Sequence, residues 1–373
     1  MKEGYSILGN YIRLVDERNK DLSITNLRGV SIEKRIIPSI ANIVGTDLSS
    51  YKIVRTGQFA YGPVTSRNGE KISIALLEGE DCIISSSYTV FEVMDKNVLN
   101  PEYLMLWFSR PEFDRYARYK SHGSVREIFD WNELCAVELP VPEIEEQKRI
   151  VKAYKTITDR IELKKQINDN LEKSAQAYFD SLFFTKDETN CTLADIALVN
   201  PIRPLSKGAE ARCFEMATLP TSGCIPTGDI IKPYNGGVRF INGDTLIARI
   251  TPCLENGKAA YINILKSGEV AFGSTEYIVF ASKDGVPSCF YYFLIRNSKF
   301  VTFALQFMNG SSGRQRVSGE ELASFAMLKP SNEDLVKFEK VGSLVLEQMK
   351  NTTLEIEALK KLQEIITTTL SSR

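Results

Sequence analysis

One histidine, His122, serves a chain of 373 residues, and tryptophan occurs only twice. Nucleophilic triads need an imidazole base, so catalysis of that kind has a single candidate residue. It lies in a Gly/Ser segment of the first half and has no counterpart in the second. Seven cysteines, Cys82, Cys135, Cys191, Cys213, Cys224, Cys253 and Cys289, are scattered with no two at CxxC spacing. A structural zinc site takes about four Cys or His ligands in closely spaced pairs, so no metal is expected. Charge of one sign is not in excess: 46 Lys and Arg balance 47 Asp and Glu, for a net charge of −1. The basic footprint of a nucleic-acid binder is therefore missing from the whole chain, although cations can still be segregated onto one face. No apolar run approaches the ~18–20 residues of a membrane span. With the unpatterned cysteines and no secretory leader, this predicts a soluble, cytoplasmic protein that does not enter a membrane.

Nucleotide and methyl-transfer signatures are also missing. The GK at Gly257–Lys258 lacks the upstream glycine of a phosphate loop. The nearest approach to an adenine methyltransferase loop, "NPIRP" at Asn200–Pro204, lacks the Pro-Pro-aromatic step. The chain reads as a non-enzyme whose folded parts bind something.

What is present is an internal repeat. At an offset of about 188 residues, "LGNYI" at Leu8–Ile12 faces "LADIA" at Leu193–Ala197, and Gly57 faces Gly243. "SSYTVF" at Ser86–Phe91 faces "TEYIVF" at Thr275–Phe280, Arg126 faces Arg314, and Pro142 faces Pro330. Each copy begins with about 140 residues of β-branched and aromatic runs broken by turn residues. A short aromatic helix follows, "PEYLMLWFSRPEFDRYARY" or "PSCFYYFLIRNSKFVTFALQF", then a Gly/Ser segment. A Pro-marked stop then opens a long helix. The fold class is α+β, with two similar mixed domains at 1–142 and 186–330 and long helices at 143–185 and 331–373.

The long segments carry apolar residues at alternating steps of four and three, a heptad seam. Ile150, Tyr154, Ile157, Ile161 and Leu171 lie on it in the first helix; Val345, Met349, Ile356, Leu359 and Ile366 lie on it in the second. A helix of ~40 residues spans about 60 Å and cannot bury such a stripe in a small domain, but two can bury theirs on each other. Two copies close most simply about a pseudo-two-fold axis. The expected result is an antiparallel coiled coil with the two heads at opposite ends of a rod. Lys164, Asn168 and Thr352 are polar seam positions, which either fix register or are simply solvated.

Two heads on a spacer suit a long, quasi-symmetric ligand such as duplex DNA. Between Arg110 and Arg126, five cations face two acids, with Tyr116 and Tyr119 interleaved. In the second copy Arg314 and Arg316 sit among Gly, Ser and Gln with no acid between them. Arg and Gln can bond guanine and adenine edges in pairs, while Ser hydroxyls and backbone N–H groups hold phosphates. The same segments also read as solvated loops with ordinary surface arginines.

The stretch "LPVPEIEEQKRIVKAYKTITDRIELKKQINDNLEKSAQAYFDSLF" resembles the central helix region of the specificity subunits of type I restriction–modification systems. The matching residues are Pro140, Pro142, Glu146, Gln147, Ile150, Leu171, Ala175, Gln176 and Phe183. "GQFAYGPVTSRNGEKISIAL" and "SHGSVREIFDWNEL" look like one type of target-recognition domain in that family; "LIARITPCLENGKAAYI" and "GSSGRQRV" look like another. The second helix departs from the pattern, with "EDLVKFEK" in place of the "EQ.rI" step and no aromatic tail. The resemblance implies that each head reads one half of a split, asymmetric DNA target and that the helices set the gap. It also implies docking of two copies of an adenine methyltransferase subunit, which bring S-adenosylmethionine; restriction and translocase subunits can join. On this reading no cofactor belongs to the chain itself, and the outer face near Gln147 and Arg149 is expected to dock the methyltransferase.

Donors and acceptors in turns or at strand ends, at matched positions of the two copies, are the expected DNA contacts. In the first head these are Tyr61, Ser66, Arg67, Lys71, Ser86, Ser87, Tyr88, His122, Ser124 and Arg126. In the second they are Arg249, Thr251, Asn256, Lys258, Ser274, Thr275, Glu276, Arg314, Gln315 and Arg316. Glu276 either accepts from a cytosine amino group or pairs with a neighbouring arginine. A different reading of the whole chain is a coiled-coil scaffold whose heads bind proteins; sequence-selective DNA binding discriminates the two.

Overall fold

The computed structural model describes residues 4–39, 45–66, 68–123, 126–311 and 313–370. The chain forms two compact units, residues 1–159 with 359–373 and residues 160–358.

The first unit is built on a four-stranded antiparallel sheet in the order Ile12–Val15, Thr89–Val93, Phe59–Tyr61, Ile74–Leu76. The second repeats that order with Ala197–Val199, Tyr277–Ser282, Thr245–Ala248 and Ala259–Tyr261. Smaller features repeat too. Tyr5–Ile7 pairs with Glu138–Pro140, as Cys191–Thr192 pairs with Ala326–Met327. The isolated bridges Val64↔Ile128 and His122↔Ile128 are answered by Ile250↔Arg316 and Asn309↔Arg316. The internal duplication is thus a duplication of topology, down to single bridges.

Each aromatic segment is two helices, where the sequence suggests one. Pro101–Phe108 gives way to Pro111–Tyr119. Proline at a helix start loses nothing, but inside a helix it removes a backbone donor and clashes, so Pro111 begins a new helix. In the second copy Cys289–Leu294 gives way to Ser298–Gln306, where the Asn297 side chain accepts from the N–H groups of Lys299 and Phe300. The aromatic rings of these helices fill the cores. In the first unit Phe59 stacks on Phe91 with centroids 4.8 Å apart, and Phe108 meets both edge-on. In the second, Phe179 meets Phe290 and Phe338 edge-on, each at 5.0 Å. Full burial of such a ring is worth about 1.5–3 kcal/mol.

The long helices are Ile144–Phe183 and Asn332–Thr369, and each contributes to both units. Their ends follow capping rules: Glu145 and Glu146 occupy the first turn of one, and Ser331 accepts from the Asp334 N–H at the start of the other. Acids there favour the positive end of the helix dipole. Every seam position named above is buried or half-buried. Within the second unit the contacts run in opposite chain directions. Lys164 pairs with Glu355 at 2.5 Å, Asn168 donates to Thr353 Oγ1 at 3.2 Å, and Phe179 meets Phe338. Within the first unit Gln363 donates to Thr158 Oγ1 at 2.7 Å, and Leu370 joins the core against which Ile150 and Tyr154 pack. The helices are therefore antiparallel in each unit, and Lys164, Asn168 and Thr352 lie inside the seam rather than in solvent.

Candidate nucleic-acid interface

In the second unit, six of the ten expected contact residues converge on one small surface. The Gly/Ser segment folds back so that Asn309 and Arg316 exchange backbone hydrogen bonds. The Thr251 N–H donates to the Gln315 carbonyl, and Thr251 Oγ1 accepts from the Gln315 N–H at 3.1 Å. The Val317 N–H donates to the Arg249 carbonyl, and the Arg249 N–H to the Glu276 carbonyl. The side chains then close the arrangement. Arg316 gives Nε and Nη2 to the Glu276 carboxylate at 2.8–3.0 Å, and Arg249 Nε lies 3.8 Å from the same group. Those bonds from Arg316, aided by the charge of Arg249, hold the Glu276 carboxyl below the usual glutamate range. Arg314 stands exposed at the tip of the loop.

Of the two roles open to Glu276, the structure therefore shows the pairing with arginine. Its carboxylate fixes the Arg316 guanidinium, and a fixed guanidinium loses less entropy on binding than a free one. Asn256 is exposed on the adjoining turn. Lys258 is half-buried, with Nζ donating to the Met216 carbonyl at 2.8 Å. Ser274 and Thr275 form the turn before Glu276, and Ser274 Oγ accepts from the Glu276 N–H.

The first unit has the same frame. The Thr65 N–H donates to the Glu127 carbonyl, and the Phe129 N–H to the Pro63 carbonyl. Arg126 is exposed, as its counterpart Arg314 is. Arg118 bonds Glu127, Lys120 lies 3.4 Å from Glu133, and His122 Nε2 lies 3.8 Å from the same carboxylate. Lys71 pairs with Glu33 at 2.9 Å. Ser66, Ser86 and Ser87 are exposed, and Tyr88 is half-buried. Arg67 and Ser124 lie outside the described residues. Thr65, which the sequence reading passed over, holds the loop as Thr251 does; the local offset between the copies is two residues shorter here than near the helices.

Tyr61 is a correction. Its side chain is fully buried in the middle of the sheet, with Phe91 and Phe129 edge-on to its ring, so it cannot touch DNA. Gln147 is a second correction. Instead of facing outward for a partner, it is fully buried: Oε1 accepts from the Asn100 N–H, and Nε2 donates to the carbonyls of Val98 and Pro142. Arg149, by contrast, is exposed and pairs with Glu146.

A family model described as "Type I restriction modification DNA specificity domain" matches residues 44–173. The specificity subunit of the type I restriction enzyme EcoEI from Escherichia coli is 27% identical over 198 residues, which is 48% of this chain and 32% of that protein. That of HindI from Haemophilus influenzae is 26% identical over 150 residues, 40% of this chain and 32% of the relative. Residues 44–173 thus resemble a type I restriction–modification DNA specificity domain. The aligned parts span about a third of these curated relatives. That of EcoAI from Escherichia coli is 30% identical over 148 residues, 38% of this chain and 24% of that protein. In fold, the chain resembles the crystal structure of the type I restriction–modification S subunit from M. genitalium. That match has a TM-score of 0.61 and 13% identity, over 98% of this chain and 95% of the other. Among the described residues of the chain, no group of three or more His, Cys, Asp or Glu is placed to hold a metal ion, and no helix is long and apolar enough to cross a membrane.

Proposed function

We propose that this chain is the non-catalytic DNA-recognition subunit of a type I restriction–modification complex. Each head reads one half of a bipartite, asymmetric target. The antiparallel helices set the spacing between the halves and dock two adenine methyltransferase subunits, which bring S-adenosylmethionine. Restriction and translocase subunits add to that core. The observation that carries this reading is the pair of equivalent arginine loops, with the same backbone bridges in both copies and different side chains. Equal frames with unequal side chains suit two readers of two different half-sites, because base edges are discriminated by side-chain donors and acceptors. The near-neutral charge of the chain fits a complex in which the methyltransferases supply much of the phosphate grip.

Arg314→Ala tests it. Arg314 is exposed and its loop is held by other residues, so the fold and the partner complex should survive. The expected result is loss of methylation at the target with normal co-purification of the methyltransferase. Normal methylation at the same motif would refute the role of this loop.

A further inference from the structure

Each unit has an open cleft at the same place in its topology. In the first it has a volume of about 380 Å³ and lies between the strand pair Arg28–Val30/Ile36–Pro38 and the turn Ser85–Tyr88. In the second it has a volume of about 640 Å³ and lies between the strand pair Glu210–Phe214/Ile230–Pro233 and the turn Ser274–Tyr277. The surrounding strands correspond pair by pair. The parallel bridge Leu27↔Ile83 is answered by the parallel pairing Cys213↔Phe272. Lys52–Val54 against Cys82–Ile84 is answered by Val238–Phe240 against Ala271–Gly273.

The linings differ residue by residue but agree in kind. Arg28, Ser85 and the Tyr51 and Tyr88 rings face the first cleft; Lys232, Ser274, Thr275 and Glu215 face the second. Each thus offers hydroxyls and one cation. Arg28 Nε donates to Asn26 Oδ1 at 2.7 Å, and its remaining N–H groups have no carboxylate partner among the described residues. Lys232 is paired with Glu215 at 2.9 Å.

Both clefts adjoin the arginine loops through a single turn. Ser274 and Thr275 line the second cleft while the next residue, Glu276, holds Arg316. Tyr88 lines the first cleft, and its ring lies beside Gly62, where an added Cβ would be in ordinary contact with it at 3.4 Å, three residues before Thr65.

We propose that the two clefts are paired DNA-backbone sites, each taking the phosphate and sugar next to the bases met by the adjoining arginine loop. This rests on the DNA-recognition reading above and adds a division of labour to it. Chemistry repeated in both heads serves what every DNA sequence shares; chemistry that differs between them serves what distinguishes one half-site from the other. Hydroxyls with a nearby cation are the groups that proteins use for phosphate oxygens, which position without specifying.

The test uses the full chain in complex with its methyltransferase. Binding is measured over a range of salt to a fluorescent duplex carrying the methylated motif and to the same duplex with both half-sites scrambled. In Arg28→Gln both duplexes should weaken by the same factor, leaving their affinity ratio unchanged, and the log–log salt slope should become shallower by about 0.9. Lys232→Gln should do the same through the second head and weaken binding further, because Glu215 is left unpaired beside the DNA. An unchanged slope in either folded variant overturns the proposal, since it rests on the equivalence of the clefts. A loss confined to the specific duplex also overturns it. Failure of the unaltered complex to distinguish the two duplexes would refute the proposed function instead.

Discussion

Replacing Gln147 by leucine should unfasten the first head from its helix. The substitution is the protein's own, since Leu335 occupies the equivalent place in the second copy and is also buried. Three backbone groups depend on the Gln147 amide: the Asn100 N–H at 2.8 Å, the Val98 carbonyl at 2.8 Å and the Pro142 carbonyl at 2.7 Å. Asn100 in turn caps the helix Pro101–Phe108. A buried polar group that loses its partner costs about 1–3 kcal/mol. These groups are only partly buried, so the low end applies to each, and the leucine recovers some apolar contact. The net expectation is a loss of about 2–3 kcal/mol, placed among the larger effects of single substitutions. Urea unfolding should show it as a lower midpoint with an unchanged slope, and hydrogen exchange should quicken at Asn100, Glu102 and Tyr103. Arg149→Ala, at an exposed side chain, should leave stability within about 0.5 kcal/mol. A Gln147→Leu chain as stable as the parent, with exchange unchanged at Asn100, would refute the latch.

Other expectations follow from the same contacts. Arg296 is half-buried with Nε 3.4 Å from Glu172 and donates from Nη1 to the Gly257 carbonyl at 2.6 Å; Arg296→Ala leaves Glu172 without its cation and should cost about 1–3 kcal/mol in urea unfolding. Asn168 sits in the helix seam, and its Oδ1 has no hydrogen-bond partner among the described residues, so Asn168→Leu should raise the unfolding temperature while loosening register; a lower temperature would contradict that. Glu276 has a depressed pKa, so its contribution is fully present above the ordinary glutamate range and is lost as pH falls through the depressed value. Glu276→Gln should remove that part of the acid limb of the stability curve, and an unchanged limb would count against the Arg316 pairing.

Much of this was readable from residues. The four-three spacing from Ile150 to Leu182 could only be a helix seam, because no other regular structure keeps that period. Its partner was readable from the same spacing in the repeat. The arginine loops were legible because Arg126 and Arg314 keep the offset of the helices that follow them. Errors arose where the offset drifts. Phe59–Tyr61 answers Thr245–Ile247, an offset of about 186 rather than 188, so Tyr61 lies inside the sheet, at the place of the buried Ile247, and not at a surface turn. Gln147 misled for another reason. A glutamine in the first turn of a polar helix looks solvated, and only the approach of Val98, Asn100 and Pro142 from distant parts of the chain makes it a buried staple. The break before Pro111 was visible as a proline, but the aromatic run on both sides outweighed it.

The central claim is most directly tested by mapping N6-methyladenine across the host genome with and without this gene. The account predicts that one bipartite motif, with two different half-sites, loses methylation when the gene is removed and regains it on complementation. A methylome unchanged by removal of a chain that is expressed and bound to its methyltransferase would contradict it.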